Sequence, residues 1–137
     1  MTDYIIFDMD GVLIDSEPIH QHIIYEVFQQ QGIPFGKSYI ETLTGMSALP
    51  MWEKVKCDSG HPATVEALVQ FHRRYFYDRL PEIQMPLVPY VKEVLSLFQS
   101  QGKHIALASS SARKQIEFFT QQVGIHHYFE LMMSGDD

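Results

Sequence analysis

Two polar clusters in the sequence each follow a short apolar run, and their residue types could do chemistry. Asp8 and Asp10 flank Met9 and precede Gly11, directly after Tyr4-Ile5-Ile6-Phe7. Side chains on an extended backbone alternate with period two, so an Asp-x-Asp pair there points both carboxylates to one side, and Gly11 permits a tight turn behind them. Such a pair can hold a hard cation and divide the roles of nucleophile and acid/base between neighbours. The same string also describes a turn whose acids cap a helix. The second cluster, Ser109-Ser110-Ser111, closes the run Ile105-Ala106-Leu107-Ala108. Alignment with a calcium-binding loop fails. With Asp8, Asp10 and Gly11 at its third, fifth and sixth positions, Ile6 falls at the first, which needs an oxygen ligand.

The elements that must position these clusters can be read from apolar spacing. Tyr4 to Phe7 and Ile105 to Ala108 are continuous apolar runs, the pattern of buried parallel strands. Between them, Ile19, Ile23, Ile24, Val27 and Phe28 recur at helical spacing from Pro18 to Gln31, with Gly32 suited to the C-cap. Weaker helical patterns follow at Tyr39 to Thr44, Met51 to Lys56 and Val65 to Tyr77. Three prolines between Leu80 and Pro89 mark an extended connection. Val91, Val94, Leu95 and Phe98 then form a helical stripe, a further helix spans 112–123, and Phe129 to Met133 reads as a strand. Alternating strands and helices predict an α/β fold with a parallel sheet, interrupted by a helical insert. In such a sheet the ligand crevice lies beyond the C-terminal strand ends, where both polar clusters fall.

Composition narrows the function classes. With 45% hydrophobic and 20% charged residues the 137-residue chain has the makings of one domain-sized core, which argues against disorder. A formal net charge of -7 argues against nucleic acid as a partner, since binding to phosphate backbones needs a basic face and Arg73-Arg74 is too short a run. One cysteine, Cys57, excludes an internal disulfide framework and a cysteine-based zinc site. No stretch approaches the roughly 20 apolar residues of a membrane span, and a cytoplasmic location is expected.

The string Asp8-Met9-Asp10-Gly11-Val12-Leu13-Ile14-Asp15-Ser16-Glu17-Pro18 resembles the first signature of the haloacid dehalogenase superfamily, in its branch with a helical cap. Ile105 to Ser111 resembles the second signature, a strand ending in a phosphate-binding serine. Within the branch the chain is similar to β-phosphoglucomutase and related sugar-phosphate phosphatases. The resemblance implies a Rossmann-like parallel-sheet core, incomplete here, built from 1–15 and 83–137, with a helical cap at 16–82. It implies a phosphatase or phosphomutase acting on a small phosphorylated metabolite, with Mg2+ as cofactor. Asp8 becomes the nucleophile that forms an aspartyl-phosphate, and its carboxylate binds the metal. Asp10 becomes the general acid/base, with its backbone carbonyl as a second metal ligand. Ser109 and the amide of Ser110 bind the phosphoryl group, unless those serines simply cap the helix at 112–123. In the cap, His20, Gly45 and Ser47 become substrate contacts.

The same family completes its site with a lysine after a third strand and acids after a fourth, and neither lies within this sequence. A truncated member is therefore expected. Asp136 and Asp137 read as loop acids in place of those metal ligands, and His126 and His127 point different ways and read as no ligand pair. A non-catalytic, phosphate- or partner-binding remnant is the competing expectation. The particular metabolite, the choice between mutase and phosphatase, and the oligomeric state have no motif of their own.

Overall fold

Strand β1 spans Tyr4–Phe7, β2 His104–Ala108 and β3 Leu131–Met133 in the computed structural model, which describes residues 3–136. They form one parallel sheet in the order β1-β2-β3, with Tyr4 opposite His104, Phe7 opposite Leu107, and Ala108 opposite Met133. Among the described residues the helices are α1 Glu17–Gln31, α2 Lys37–Glu41, α3 Ala48–Ser59, α4 Val65–Arg79, α5 Val91–Ser100 and α6 Arg113–Gln122. Single 3-10 turns occupy Leu80–Glu82 and His126–Tyr128. The proline-rich connection therefore begins with a helical turn and becomes extended only afterwards.

The chain divides into two units. One combines Met1–Ser16 with Gln84–Asp137 and holds the sheet, α5 and α6; the other is the continuous segment Glu17–Ile83, which holds α1 to α4. In the sheet unit, Ile105 and Leu107 of β2 are buried with Leu95 of α5 and Ile116 and Phe119 of α6. Phe7 meets Phe98 of α5 at a ring separation of 6.2 Å. The opposite sheet face is bare: Tyr4 is 71% exposed, Ile6 64% and Leu131 57%. This corrects the reading of β1 as a buried strand. Both β-α-β connections run in the same direction across the sheet, and the right-handed rule places α5 and α6 on one face.

The helical unit packs around Phe28 and Trp52, both fully buried, with rings 5.9 Å apart and Phe35 and Tyr39 against Phe28. Glu26 ties α1 to α4 by accepting from the Tyr75 hydroxyl and the Arg79 guanidinium, each at 2.6 Å. Burial opposes its charge, yet these donors outweigh burial and hold its carboxyl below the usual range. Among the described residues no helix is long and apolar enough to cross a membrane.

Candidate active site

Strand β1 ends at Phe7, and the chain then turns tightly on Met9. The Met9 carbonyl accepts from the amides of Leu13 and Ile14 at 2.9 and 3.1 Å, and Gly11 donates to the Ile14 carbonyl at 2.8 Å. Gly11 has a φ of +77°, which glycine adopts without steric cost. The turn proper covers residues 11–13, with Met9 at a bend and Asp10 still paired to Ile14 as an isolated β-bridge residue. The two carboxylates have separate hydrogen-bond partners.

Asp8 is exposed at the strand end, and its Oδ1 accepts the Met9 amide at 2.8 Å. Asp10 is half-buried. Its Oδ1 accepts the Ser16 hydroxyl at 2.7 Å and its Oδ2 the Ser111 hydroxyl at 2.9 Å. Ser109 also reaches Oδ2, at the long distance of 3.5 Å. The structure therefore brings the end of β1 and the loop after β2 together at Asp10, through a sequence separation of about a hundred residues. Sequence reasoning missed Ser16 and Ser111 as members of this cluster. Both stood inside the strings quoted for the two signatures, and the third serine of a run was the available signal.

The serines do not cap α6. Its N-cap is Ala112, which makes no side-chain capping bond, and the amide of Arg113 instead donates to Asp136 Oδ2 at 2.9 Å. Asp136 is thereby a helix-capping acid, well suited to the positive end of the helix dipole. Asp137 lies outside the described residues. Ser109 is fixed by its amide, which donates to the Met133 carbonyl at 3.0 Å, and by its hydroxyl oxygen, which accepts the Ser111 amide at 3.1 Å. Ser110 is exposed between them.

The other expected residues lie in the helical unit. His20, in α1, stacks on Phe76 of α4 with ring centroids 5.5 Å apart. Gly45 is exposed with a φ of +83°, and Ser47 is the N-cap of α3, its carbonyl accepting from Met51 at 3.1 Å. Thr44, beside Gly45, accepts from Gln21 at 3.3 Å. Among the described residues no three His, Cys, Asp or Glu side chains gather where they could hold a metal ion. The carboxylate of Asp8 and the main-chain carbonyl of Asp10 are hard oxygen donors of the kind Mg2+ accepts alongside water and substrate phosphate.

An open parallel sheet with acids and serines gathered past its C-terminal strand ends defines an α/β protein, a class in which ligands bind at that edge of the sheet. The chain belongs to the haloacid dehalogenase-like hydrolase family, whose model matches residues 5–137. It is 28% identical over 141 residues to the phosphorylated carbohydrates phosphatase of Thermotoga maritima, covering 96% of this chain and 61% of that protein. It is 27% identical to the phosphoglycolate phosphatase of Yersinia pestis, covering 96% of this chain and 58% of that protein. Among solved structures, CbbY from Rhodobacter sphaeroides in complex with phosphate matches with a TM-score of 0.73 at 20% identity, over 99% of this chain and 64% of that one. A Haemophilus somnus structure described as a predicted phosphoglycolate phosphatase matches with a TM-score of 0.81 at 22% identity, over 98% of this chain and 63% of that one. The chain thus spans about three fifths of the length of the relatives it matches.

Proposed function

We propose that this chain carries the nucleophile and the acid/base of a phosphatase or phosphomutase acting on a small phosphorylated metabolite, most simply a sugar phosphate. The observation that carries the reading is the Asp10 carboxylate, held between Ser16 and Ser111 beside Ser109, two residues after the exposed Asp8. An Asp8 oxygen attacks phosphorus while the ester P–O bond breaks, and Asp10 gives its proton to the departing oxygen. Water, or the hydroxyl of a second sugar phosphate, then attacks the aspartyl-phosphate as Asp10 takes the proton back, and Asp8 is released. Ser109 and the amide of Ser110 bind phosphoryl oxygens. Asp8 and the Asp10 carbonyl would hold Mg2+, which supplies charge neutralisation at the phosphoryl group. The sheet unit is the catalytic core, and the insert 16–82 is a cap that selects substrate, with His20, Gly45 and Ser47 assigned to that task. The names of the relatives support the substrate class, and a cytoplasmic setting fits it.

The test is Mg2+-dependent hydrolysis of a generic phosphomonoester, run beside Asp8→Asn and a metal-free control. Turnover that disappears in Asp8→Asn supports the reading, because no aspartyl-phosphate can form on an amide. Equal turnover in both proteins rules it out. A second reading, a phosphate-binding protein without turnover, needs only the serine loop after β2, which the bond from the Ser111 amide to the Ser109 hydroxyl oxygen holds in shape. It predicts that Asp8→Asn binds inorganic phosphate at least as well as the parent chain, with neither showing hydrolysis.

A further inference from the structure

Ser111 has all three of its polar groups engaged. Its amide donates to Ser109 Oγ at 3.1 Å, its carbonyl accepts the Gly135 amide at 2.9 Å, and its hydroxyl donates to Asp10 Oδ2 at 2.9 Å. The loop that holds it is clamped by the turn after β3. A Cβ on Gly135 would overlap the carbonyl oxygen of Ser110, so the two loops pass closer than any other residue allows. On either side of that approach, Asp136 accepts the Arg113 amide at 2.9 Å and the Met132 carbonyl accepts the Arg113 guanidinium at 3.0 Å. Asp136 is steadied in turn by its own amide, which donates to the hydroxyl of buried Ser134 at 3.2 Å.

We propose that Ser111, fixed by the Ser134–Asp136 turn, is a positioning residue that sets the orientation of the Asp10 carboxylate. The proposal rests on Asp10 being the acid/base of the reaction above. Distances divide the labour among the serines. Hydrogen bonding weakens with length, so the 3.5 Å contact of Ser109 is the one given up most readily to a phosphoryl oxygen. The 2.9 Å bond of Ser111 is not. With Ser16 on Oδ1 and Ser111 on Oδ2, turning the carboxylate breaks two charge-assisted bonds at once. Asp10 is thereby held ready for proton transfer, a requirement of geometry before acidity.

The experiment compares Ser111→Ala, Ser111→Thr and Gly135→Ala with the parent chain. It measures kcat and KM for a generic phosphomonoester, binding of inorganic phosphate by NMR titration, and crystal structures of the parent and Ser111→Ala proteins. Losing one hydrogen bond to a charged acceptor corresponds to a fall in kcat of about 10- to 100-fold. KM and phosphate affinity should stay within about twofold, since Ser111 acts through Asp10 and does not touch substrate. Ser111→Thr keeps the hydroxyl and should recover most of kcat. Gly135→Ala should reproduce the kcat loss by pushing the Ser110–Ser111 backbone aside, and if it fails to fold, Ser111→Ala decides alone. Unchanged kcat, or weakened phosphate binding in Ser111→Ala, overturns the proposal in favour of a passive or a directly ligating serine. Absence of turnover in the parent chain defeats the functional reading instead. The structures then decide the positioning: a rotated Asp10 carboxylate in Ser111→Ala supports it, and an unmoved one overturns it.

Discussion

Inside the helical unit, the Nδ1 atom of His72 accepts the indole N–H of Trp52 at 3.2 Å, which only a neutral imidazole can do. Burial, and after it repulsion from His20, pushes the His72 pKa down to about 4. A histidine in the unfolded chain takes up its proton near 6.5. Between those values the unfolded state binds more protons than the folded one, so stability falls as pH drops from about 6.5 and levels off below about 4. The full effect is on the order of 3 kcal/mol. Trp52 is the only tryptophan in the sequence and reports on this contact directly. Urea unfolding followed by its fluorescence should show the loss between pH 7 and pH 4, and His72→Gln should flatten it; an equal slope in both proteins would place the acid sensitivity elsewhere. None of this was legible in the sequence, because a histidine's burial and partner depend on which helix faces it. Asp8, Asp10 and Ser109 were legible from strings that repeat a known pattern. Ser111 required the fold, which alone brings it across a hundred positions to the Asp10 carboxylate, and Ser16, six residues from Asp10, required the local turn geometry.

Strand and helix identities came through well because each rests on local spacing, with the bounds of α1, α5, β1 and α6 within a residue or two of the sequence reading. Which face of a strand is covered is not local information. Tyr4-Ile5-Ile6-Phe7 is apolar on both sides, yet only the side of Ile5 and Phe7 meets helices, as Phe7 does with Phe98. The other face presents Tyr4, Ile6, Leu131 and Met133 to solvent, with Tyr4 stacked on His104 at 4.9 Å. Parallel sheets are ordinarily covered on both faces, and a contiguous apolar surface of this kind promotes association. The isolated 137-residue chain should therefore self-associate with rising concentration in sedimentation velocity. The double variant Ile6→Lys with Leu131→Glu should sediment as a smaller species. Parent and variant sedimenting alike at about 100 µM would show that this face is not sticky enough to matter.

At the scale of the whole molecule, the two units differ in how the chain builds them. The helical unit is one unbroken segment, Glu17–Ile83, with its own buried centre at Val27, Phe28, Trp52 and Val55. The sheet unit is assembled from two separated pieces. A peptide of residues 17–83 alone should fold, with blue-shifted Trp52 emission and a cooperative thermal transition; red-shifted emission of a solvated indole would refute this independence. At the place where the chain leaves the sheet unit and returns to it, Asp15 donates to the Pro86 carbonyl at 2.8 Å and Val88 to the Leu13 carbonyl at 2.9 Å. The two stretches of the sheet unit that flank the insert are therefore hydrogen-bonded neighbours. Pairing Tyr4 with His104 in an unstructured chain closes a loop of a hundred residues. Once those flanking stretches have paired, the insert is closed off and only about thirty loose residues remain, which lowers the closure cost by about 1 kcal/mol. During synthesis the insert and both of its flanking stretches emerge before β2 exists, so the polypeptide can shorten its own longest search while it is still being made.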